Sequence, residues 1–412
     1  MQAFLGIPLL LCFAWLLSEH RSRVDWRTVM IALAVQLVLA FLLLRVPLIS
    51  EALLSLNHVV HAIERATSTG AGFIFGYLGG GEAPFAVTSE GALYLFAFRV
   101  LPQILVFSVL VALLWYWRVL PVVIRSFGYL LRRLMRLSGA AGTAAASSVF
   151  LGMVETPLVI RAYLETLSRS ELFLLMTCGM STVAGSIMVL YASVLGDTIP
   201  GALGHILSAS VINVIGAVSI ARIMIPDLTG GSGEVAAEGF GYQSNMDAIT
   251  RGTADGLRLA VNVGAMVLVL VSLVALVNQL FALVIFNGEP LSLERIMGWF
   301  FSPVVWIIGV PWDEAQTAGA LLGSKLVLNE LIAYLQMANL SEDVLSSSSR
   351  LIMTYTLCGF ANFGSLGIML GGLNTLVPGR REELLAIAPR TLISGTVVTC
   401  LTGAVVALVT LQ

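Results

Sequence analysis

An all-α membrane protein is the fold class this sequence predicts, and three observations carry the prediction. Of the 412 residues, 58% are hydrophobic and 11% charged, whereas about a quarter of a soluble domain is charged. Apolar stretches long enough to cross a bilayer as helices, about 20 residues each, recur near 1–18, 28–48, 93–117, 171–195, 199–224, 259–286, 350–374 and 391–411, eight in all. Two further intervals, 138–168 and 303–336, mix apolar runs with Gly, Pro and isolated charges. In lipid every backbone N–H and C=O must find a partner, so an interrupted helix is tolerated only where it packs in protein or lines a cavity. Each interval therefore predicts a re-entrant helical hairpin whose tip stops near the bilayer midplane.

The first stretch, Ala3 to Leu17, has no basic residue before it and no small-residue cleavage site after it, so it reads as a retained helix and not a signal peptide. Orientation follows from Lys and Arg in the links, since the formal net charge of −2 carries little information. The links holding Arg21, Arg23 and Arg27, then Arg125, Arg132, Arg133 and Arg136, then Arg251, then Arg380, Arg381 and Arg390 are expected to be cytoplasmic, with both termini periplasmic. Residues 50–69 set Leu53, Leu56, Val60 and Ile63 against Asn57, His58, His61, Glu64 and Arg65, the pattern of a helix lying in the interface. Gly70 to Glu82 reads as a loop; no Gly-Lys-Ser/Thr ending follows its glycines, which argues against a phosphate cradle. Pro121 to Arg136 repeats the interfacial pattern with arginines that anionic lipid would attract. Residues 225–247 form a Gly-, Glu- and Ser-rich loop, and Cys12, Cys178, Cys358 and Cys400 are widely spaced in apolar segments, with no metal or disulfide framework.

Two halves look duplicated. Gly152 to Pro157 brackets a lone Glu155; Pro311 and Trp312 precede Lys325 and Glu330; and each interval is followed by a span with a polar interruption, Cys178-Gly179 to Ser186 and Cys358-Gly359 to Ser365, with Thr182 and Asn362 at one offset from the cysteine. Small residues in membrane helices also serve as plain packing positions. Paired interrupted segments in two halves nevertheless point to the binding site of a secondary transporter. The chain thus divides into 1–118, scaffold helices with an interfacial helix; 119–224, a first repeat; 225–258, a cytoplasmic loop; and 259–412, a second repeat inverted relative to the first.

The most informative stretch is Gly323-Ser324-Lys325-Leu326-Val327-Leu328-Asn329-Glu330, continuing to Ala333-Tyr334. An ionisable side chain at membrane depth costs about 2.5–3.5 kcal/mol on insertion scales, so it faces a partner or a water-filled path unless it snorkels from a helix end.

This stretch resembles the G-x-K-x-x-x-N-E signature of the concentrative nucleoside transporter family. The resemblance extends to Gly152…Glu155-Thr156-Pro157, to Cys358-Gly359-Phe360-Ala361-Asn362-Phe363 and to Gly256-Leu257-Arg258-Leu259-Ala260-Val261-Asn262-Val263. It implies eight spanning helices, two opposed re-entrant hairpins and interfacial helices in a bacterial inner-membrane homotrimer that imports nucleosides by cation symport. By the same resemblance, ribose would be held by Glu330, Asn362 and Ser365 with Phe360 beside them, and Gly323, Lys325 and Asn329 complete the motif. On the nucleobase side the family's Gly-Gln-Ser/Thr-Glu is here Gly152-Met153-Val154-Glu155, so two hydrogen-bonding side chains have become apolar; Ile187 matches a nearby wall position. The family's sodium site, an Asn, a Ser or Thr and backbone carbonyls, maps to Ser148, Thr182 and Val183. A serine hydroxyl in place of an amide carbonyl is a shorter, weaker ligand for a hard cation, so the expected coupling ion is a proton, carried by Glu155 or Glu330, with sodium as the alternative. Expected partners are nucleoside and lipid, with no nucleic acid and no cofactor. An intramembrane enzyme is disfavoured: His20, His58, His61 and His205 form no H-E-x-x-H, and no Gly-x-Ser-x-Gly occurs.

Overall fold

The computed structural model describes all residues except Met1, 87–94, Asp197, 229–240, Asn287, Glu342, Leu411 and Gln412, and describes the backbone alone at 48–57, 59–61, Ser186 and Glu289. The described residues form helices α1 (Gln2–Leu16), α2 (Trp26–Arg45), α3 (Pro47–Phe75), α4 (Leu101–Tyr116), α5 (Val119–Met135), α6 (Gly139–Ser147), α7 (Glu155–Val159), α8 (Arg169–Ser181) and α9 (Gly185–Leu195). They continue with α10 (Ala202–Met224), α11 (Asn245–Phe281), α12 (Leu293–Ile307), α13 (Trp312–Val327), α14 (Glu330–Ala338), α15 (Ser347–Leu357), α16 (Phe363–Leu376) and α17 (Arg381–Thr410). The strand content among them is one two-residue antiparallel pair, Ile285–Phe286 with Glu289–Pro290.

Eight continuous spans are not what the helices show. Among the described residues five helices are long and apolar enough to cross a bilayer by themselves, Trp26–Arg45, Phe96–Tyr116, Ala202–Met224, Asn245–Phe281 and Pro378–Thr410, and the bent pair Leu293–Ile307 with Trp312–Val327 makes a sixth if it counts as one span. The expected span at 171–195 is split into α8 and α9, the one at 350–374 into α15 and α16, and the first is a helix of 15 residues. The splits follow from local sequence. Thr182 at the end of α8 and Cys358 at the end of α15 take extended backbone, and Asn362 then starts α16 by accepting from Ser365 N at 2.7 Å. An Asn N-cap stabilises a helix start by about 1 kcal/mol.

The interval 303–336 also differs from a simple helix-turn-helix. It begins inside α12, bends by 117° between α12 and α13, and breaks again at Leu328 and Asn329 before α14. The helix-turn-helix pair is therefore α13 and α14. Interval 138–168 has one full limb, α6, followed by irregular backbone and only the short α7. Two smaller expectations also shift. The loop predicted from Gly70 begins only after α3 ends at Phe75, and α11 starts at Asn245, inside the expected 225–258 loop; residues 229–240 of that loop lie outside the described residues. The Leu53, Leu56, Val60 pattern falls on side chains that are likewise not described.

The duplicated offset from cysteine proves misleading. Cys178 and Gly179 lie inside α8, while Cys358 and Gly359 sit at the break after α15. Thr182 closes a helix and Asn362 opens one. The structural parallel is coarser: amphipathic α5 packs on α6 before the split α8/α9, and amphipathic α12 packs on α13 before the split α15/α16. Gly323, the first residue of the motif, serves this packing, because a Cβ there would collide with Met297 of α12.

The residues after α1, those before and at the start of α8, and the start of α17 meet at one end of the bundle. Glu19, after α1, pairs with Arg169 of α8 at 2.8 Å and with Arg390 of α17, and the adjacent Arg169 guanidinium holds its carboxyl below the ordinary glutamate range. Arg380 donates to the carbonyls of Leu164 and Leu167 at 3.0 and 2.7 Å, tying the 138–168 segment to α17. At the opposite end Gln2, Thr198, Gly309, Ser347 and Thr410 line one cavity, so the two ends of the described chain lie on one face. Near this face Arg350 of α15 is buried and donates to the carbonyls of Met337, Leu340, Ser341 and Leu345, closing the end of α14.

Candidate functional site

Glu330 lies at the start of α14, just after the break, because Asn329 caps that helix by accepting from Ile332 N at 2.9 Å. A carboxylate in the first turn is favoured by the helix dipole. Glu330 is 4% exposed, and both of its oxygens are engaged. Oε2 accepts from Asn362 Nδ2 at 2.9 Å, and Oε1 accepts from the Tyr191 hydroxyl. Asn362 also caps α16 with its Oδ1, so one amide couples the second break to the carboxylate. Tyr191, on α9, packs on Tyr334 with ring centroids 5.2 Å apart. Of the predicted ribose set, Glu330 and Asn362 thus touch directly. Ser365 joins through its backbone N–H, and Phe360, 5% exposed, donates its N–H to Thr182 O at 3.3 Å.

The other carboxylate is placed by the first break. A Cβ at Gly152 would collide with Glu155 Oε2, so the glycine lets Glu155 fold back over its own loop. The same loop touches both split helices: a Cβ added at Gly179 of α8 would lie 3.0 Å from Met153, and one at Gly372 of α16 would lie 3.2 Å from Val154. Phe150 O accepts from Gly185 N at 2.9 Å, fixing the start of α9 on which Ile187 stands, and Val183 is buried in the break itself. The hydroxyls proposed for a cation are turned to their own helices: Ser148 Oγ donates to Ala145 O at 2.8 Å, and Thr182 Oγ1 donates to Cys178 O at 2.9 Å. Among the described residues no group of three His, Cys, Asp or Glu side chains is placed to hold a metal.

Two participants escaped the sequence reading. Tyr191 has no motif around it. Asn213 could have been found, as an amide inside the apolar α10, where a polar group at membrane depth calls for a partner. Its Nδ2 donates to Ser181 O at 2.7 Å and to Cys358 O at 2.8 Å, so one fully buried side chain joins the ends of both broken helices. Gly359 permits the approach, since a Cβ there would lie 2.7 Å from Ser181 O. Asn213→Leu leaves two buried carbonyls unpaired at about 1–3 kcal/mol each. The variant is expected to melt well below the wild type, as measured by thermal unfolding in detergent.

A buried carboxylate, an amide and paired helix breaks inside a bundle of long apolar helices define a multi-pass membrane protein with a polar cluster in its interior. Family models described as "Na+ dependent nucleoside transporter" match residues 5–78 and 205–407, and one described as "Nucleoside recognition" matches 97–198. The nucleoside permease NupC of Helicobacter pylori is 33% identical over 95% of this chain and 93% of its own length. The putative nucleoside permease NupX of Escherichia coli is 32% identical over 96% and 95%. CNTnw in an inward-facing, substrate-bound state superposes with a TM-score of 0.90 at 32% identity, covering 99% of this chain and 98% of the other. The chain belongs to the concentrative nucleoside transporter family.

Proposed function

We propose that this protein imports nucleosides by symport with a cation, more readily a proton than sodium. The observation that carries the reading is Glu330, a buried carboxylate held by Tyr191 and Asn362 at the junction of α14 and α16. Ribose hydroxyls could replace these partners one for one, and each bond left unmade in a dry site would cost about 1–3 kcal/mol. Met153 and Val154 leave the nucleobase side without side-chain hydrogen bonds at two positions, which favours tolerance among bases over strict selection. In this reading α6/α7 and α13/α14 are the two re-entrant hairpins, the halves form an inverted repeat, and the arginine-rich end is cytoplasmic with both termini periplasmic.

The sodium named in the family models' descriptions belongs to the family; here the corresponding positions carry Ser148 and Thr182, which are weaker ligands than an amide carbonyl. The homotrimer implied by the family resemblance would use α11, whose Val261, Leu268, Leu276 and Leu280 are exposed. The test is uptake of labelled nucleosides into proteoliposomes, with a competition panel of purine, pyrimidine and deoxy nucleosides. Ribonucleosides of both base classes are expected to compete, with deoxy forms weaker. Absence of any nucleoside uptake would favour another solute for this fold.

A further inference from the structure

A helix leaves its last four carbonyls without partners inside itself, and α15 ends in the middle of the protein at Leu357. Three side chains from other elements meet the carbonyls there. Tyr334 Oη donates to Thr354 O at 2.8 Å, Lys325 Nζ to Thr356 O at 2.9 Å, and Asn213 Nδ2 to Cys358 O at 2.8 Å. Lys325 is fully buried. Its second contact is Thr399 Oγ1 of α17 at 2.8 Å, and that hydroxyl gives its own proton to Thr396 O at 3.1 Å. Toward Lys325 it can therefore only accept. The ammonium thus sits against two oxygen acceptors at the negative end of a helix, where a positive charge is favoured.

The first split helix, α8, is finished differently. The carbonyl of Cys178 in α8 accepts from Thr182 N at 3.1 Å and Thr182 Oγ1 at 2.9 Å, and Ser181 O accepts from Asn213. These donors are all neutral.

We propose that Lys325 is a tethered cation: its ammonium permanently fills a monovalent-cation site made by the Thr356 carbonyl and the Thr399 hydroxyl. The second broken helix then keeps its positive charge through every cycle without drawing an ion from solution. Glu330 begins the next helix, α14, a few positions further along the same chain segment. The inference rests on the transporter reading only for its uptake measurement.

Two variants separate charge from mere hydrogen bonding. Lys325→Ala empties the site; Lys325→Gln keeps a neutral donor, one bond shorter, and removes the charge. Each is purified in detergent and melted in chloride salts of methylammonium, ethylammonium, sodium and potassium, and each is assayed for uptake in proteoliposomes. Both are expected to lose uptake at least about tenfold, as when hydrogen bonds from a buried charged group are lost. The Ala variant is expected to rise in melting temperature saturably with methylammonium or ethylammonium and to regain several-fold of its uptake, while the wild type does not respond. If the Ala variant assembles poorly, growth and extraction with methylammonium are expected to restore its yield. Uptake by the Gln variant at the wild-type rate would overturn the proposal, as would an Ala variant whose yield and melting respond to none of these cations. The melting measurement reads the site whether or not nucleoside is the cargo, so failure of the transporter reading is told apart from failure of this one.

Discussion

Glu330→Gln is expected to reduce nucleoside uptake by about 10- to 150-fold while the protein still assembles. Hydrogen bonds to a charged group are worth about 1.5–3 kcal/mol net, and each 1.4 kcal/mol is tenfold. The substitution preserves shape but turns one of two acceptors into a donor. Asn362 Nδ2 and the Tyr191 hydroxyl both donate to Glu330, and the Gln amide can offer an oxygen to only one of them. Since Asn362 also caps α16, the loss should appear in substrate affinity as well as turnover. The check is uptake kinetics beside size-exclusion profiles of wild type and variant; normal transport by the variant would make Glu330 a structural residue.

Uptake is also expected to follow an inward proton gradient, to fall with a protonophore and to change little when choline replaces sodium. One pH unit across the membrane supplies about 1.4 kcal/mol per proton, enough for about tenfold accumulation at one proton per substrate. Two buried or half-buried carboxylates, Glu155 and Glu330, stand at the breaks where protonation could be coupled to binding. The competing ion would depend on Ser148 and Thr182, whose hydroxyl protons are given to Ala145 O and Cys178 O, and on backbone carbonyls beside Val183. Ser148→Asn, which restores a side-chain carbonyl, is expected to strengthen sodium dependence. Strong sodium stimulation of the wild type at constant pH, with no response to a proton gradient, would mean that these two hydroxyls suffice as ligands.

Much of the site was legible because membrane burial makes polar residues conspicuous. Glu155, Lys325, Glu330 and Asn362 stood out as costly groups in apolar surroundings, and the structure brings Glu330 and Asn362 to 2.9 Å. The signal weakened where a residue is chemically ordinary. Tyr191 looks like any aromatic in a span, yet it completes the Glu330 cage. The matched Cys-Gly pairs looked like equivalent positions and are not, because the sequence offset does not say on which side of a helix break a residue falls. Likewise the bend of 117° between α12 and α13 puts the first residues of the interval 303–336 on the end of an amphipathic helix packed against α13, and not in a hairpin limb.

By itself the sequence determined the environment and the family signature: an apolar composition that places the chain in lipid, interruptions that break two of its spans, and the Gly323 to Glu330 motif. Composition and local backbone chemistry suffice for these, since each depends on residues near in the chain. Only the tertiary structure decided what the motif's charges do. Lys325 closes α15 by binding Thr356 and Thr399, 31 and 74 positions away, and Asn213 joins helix ends that lie 32 and 145 positions from it. The reason is physical: a helix that stops inside the membrane leaves carbonyls that water cannot reach, and the groups that satisfy them come from whatever elements the fold packs alongside.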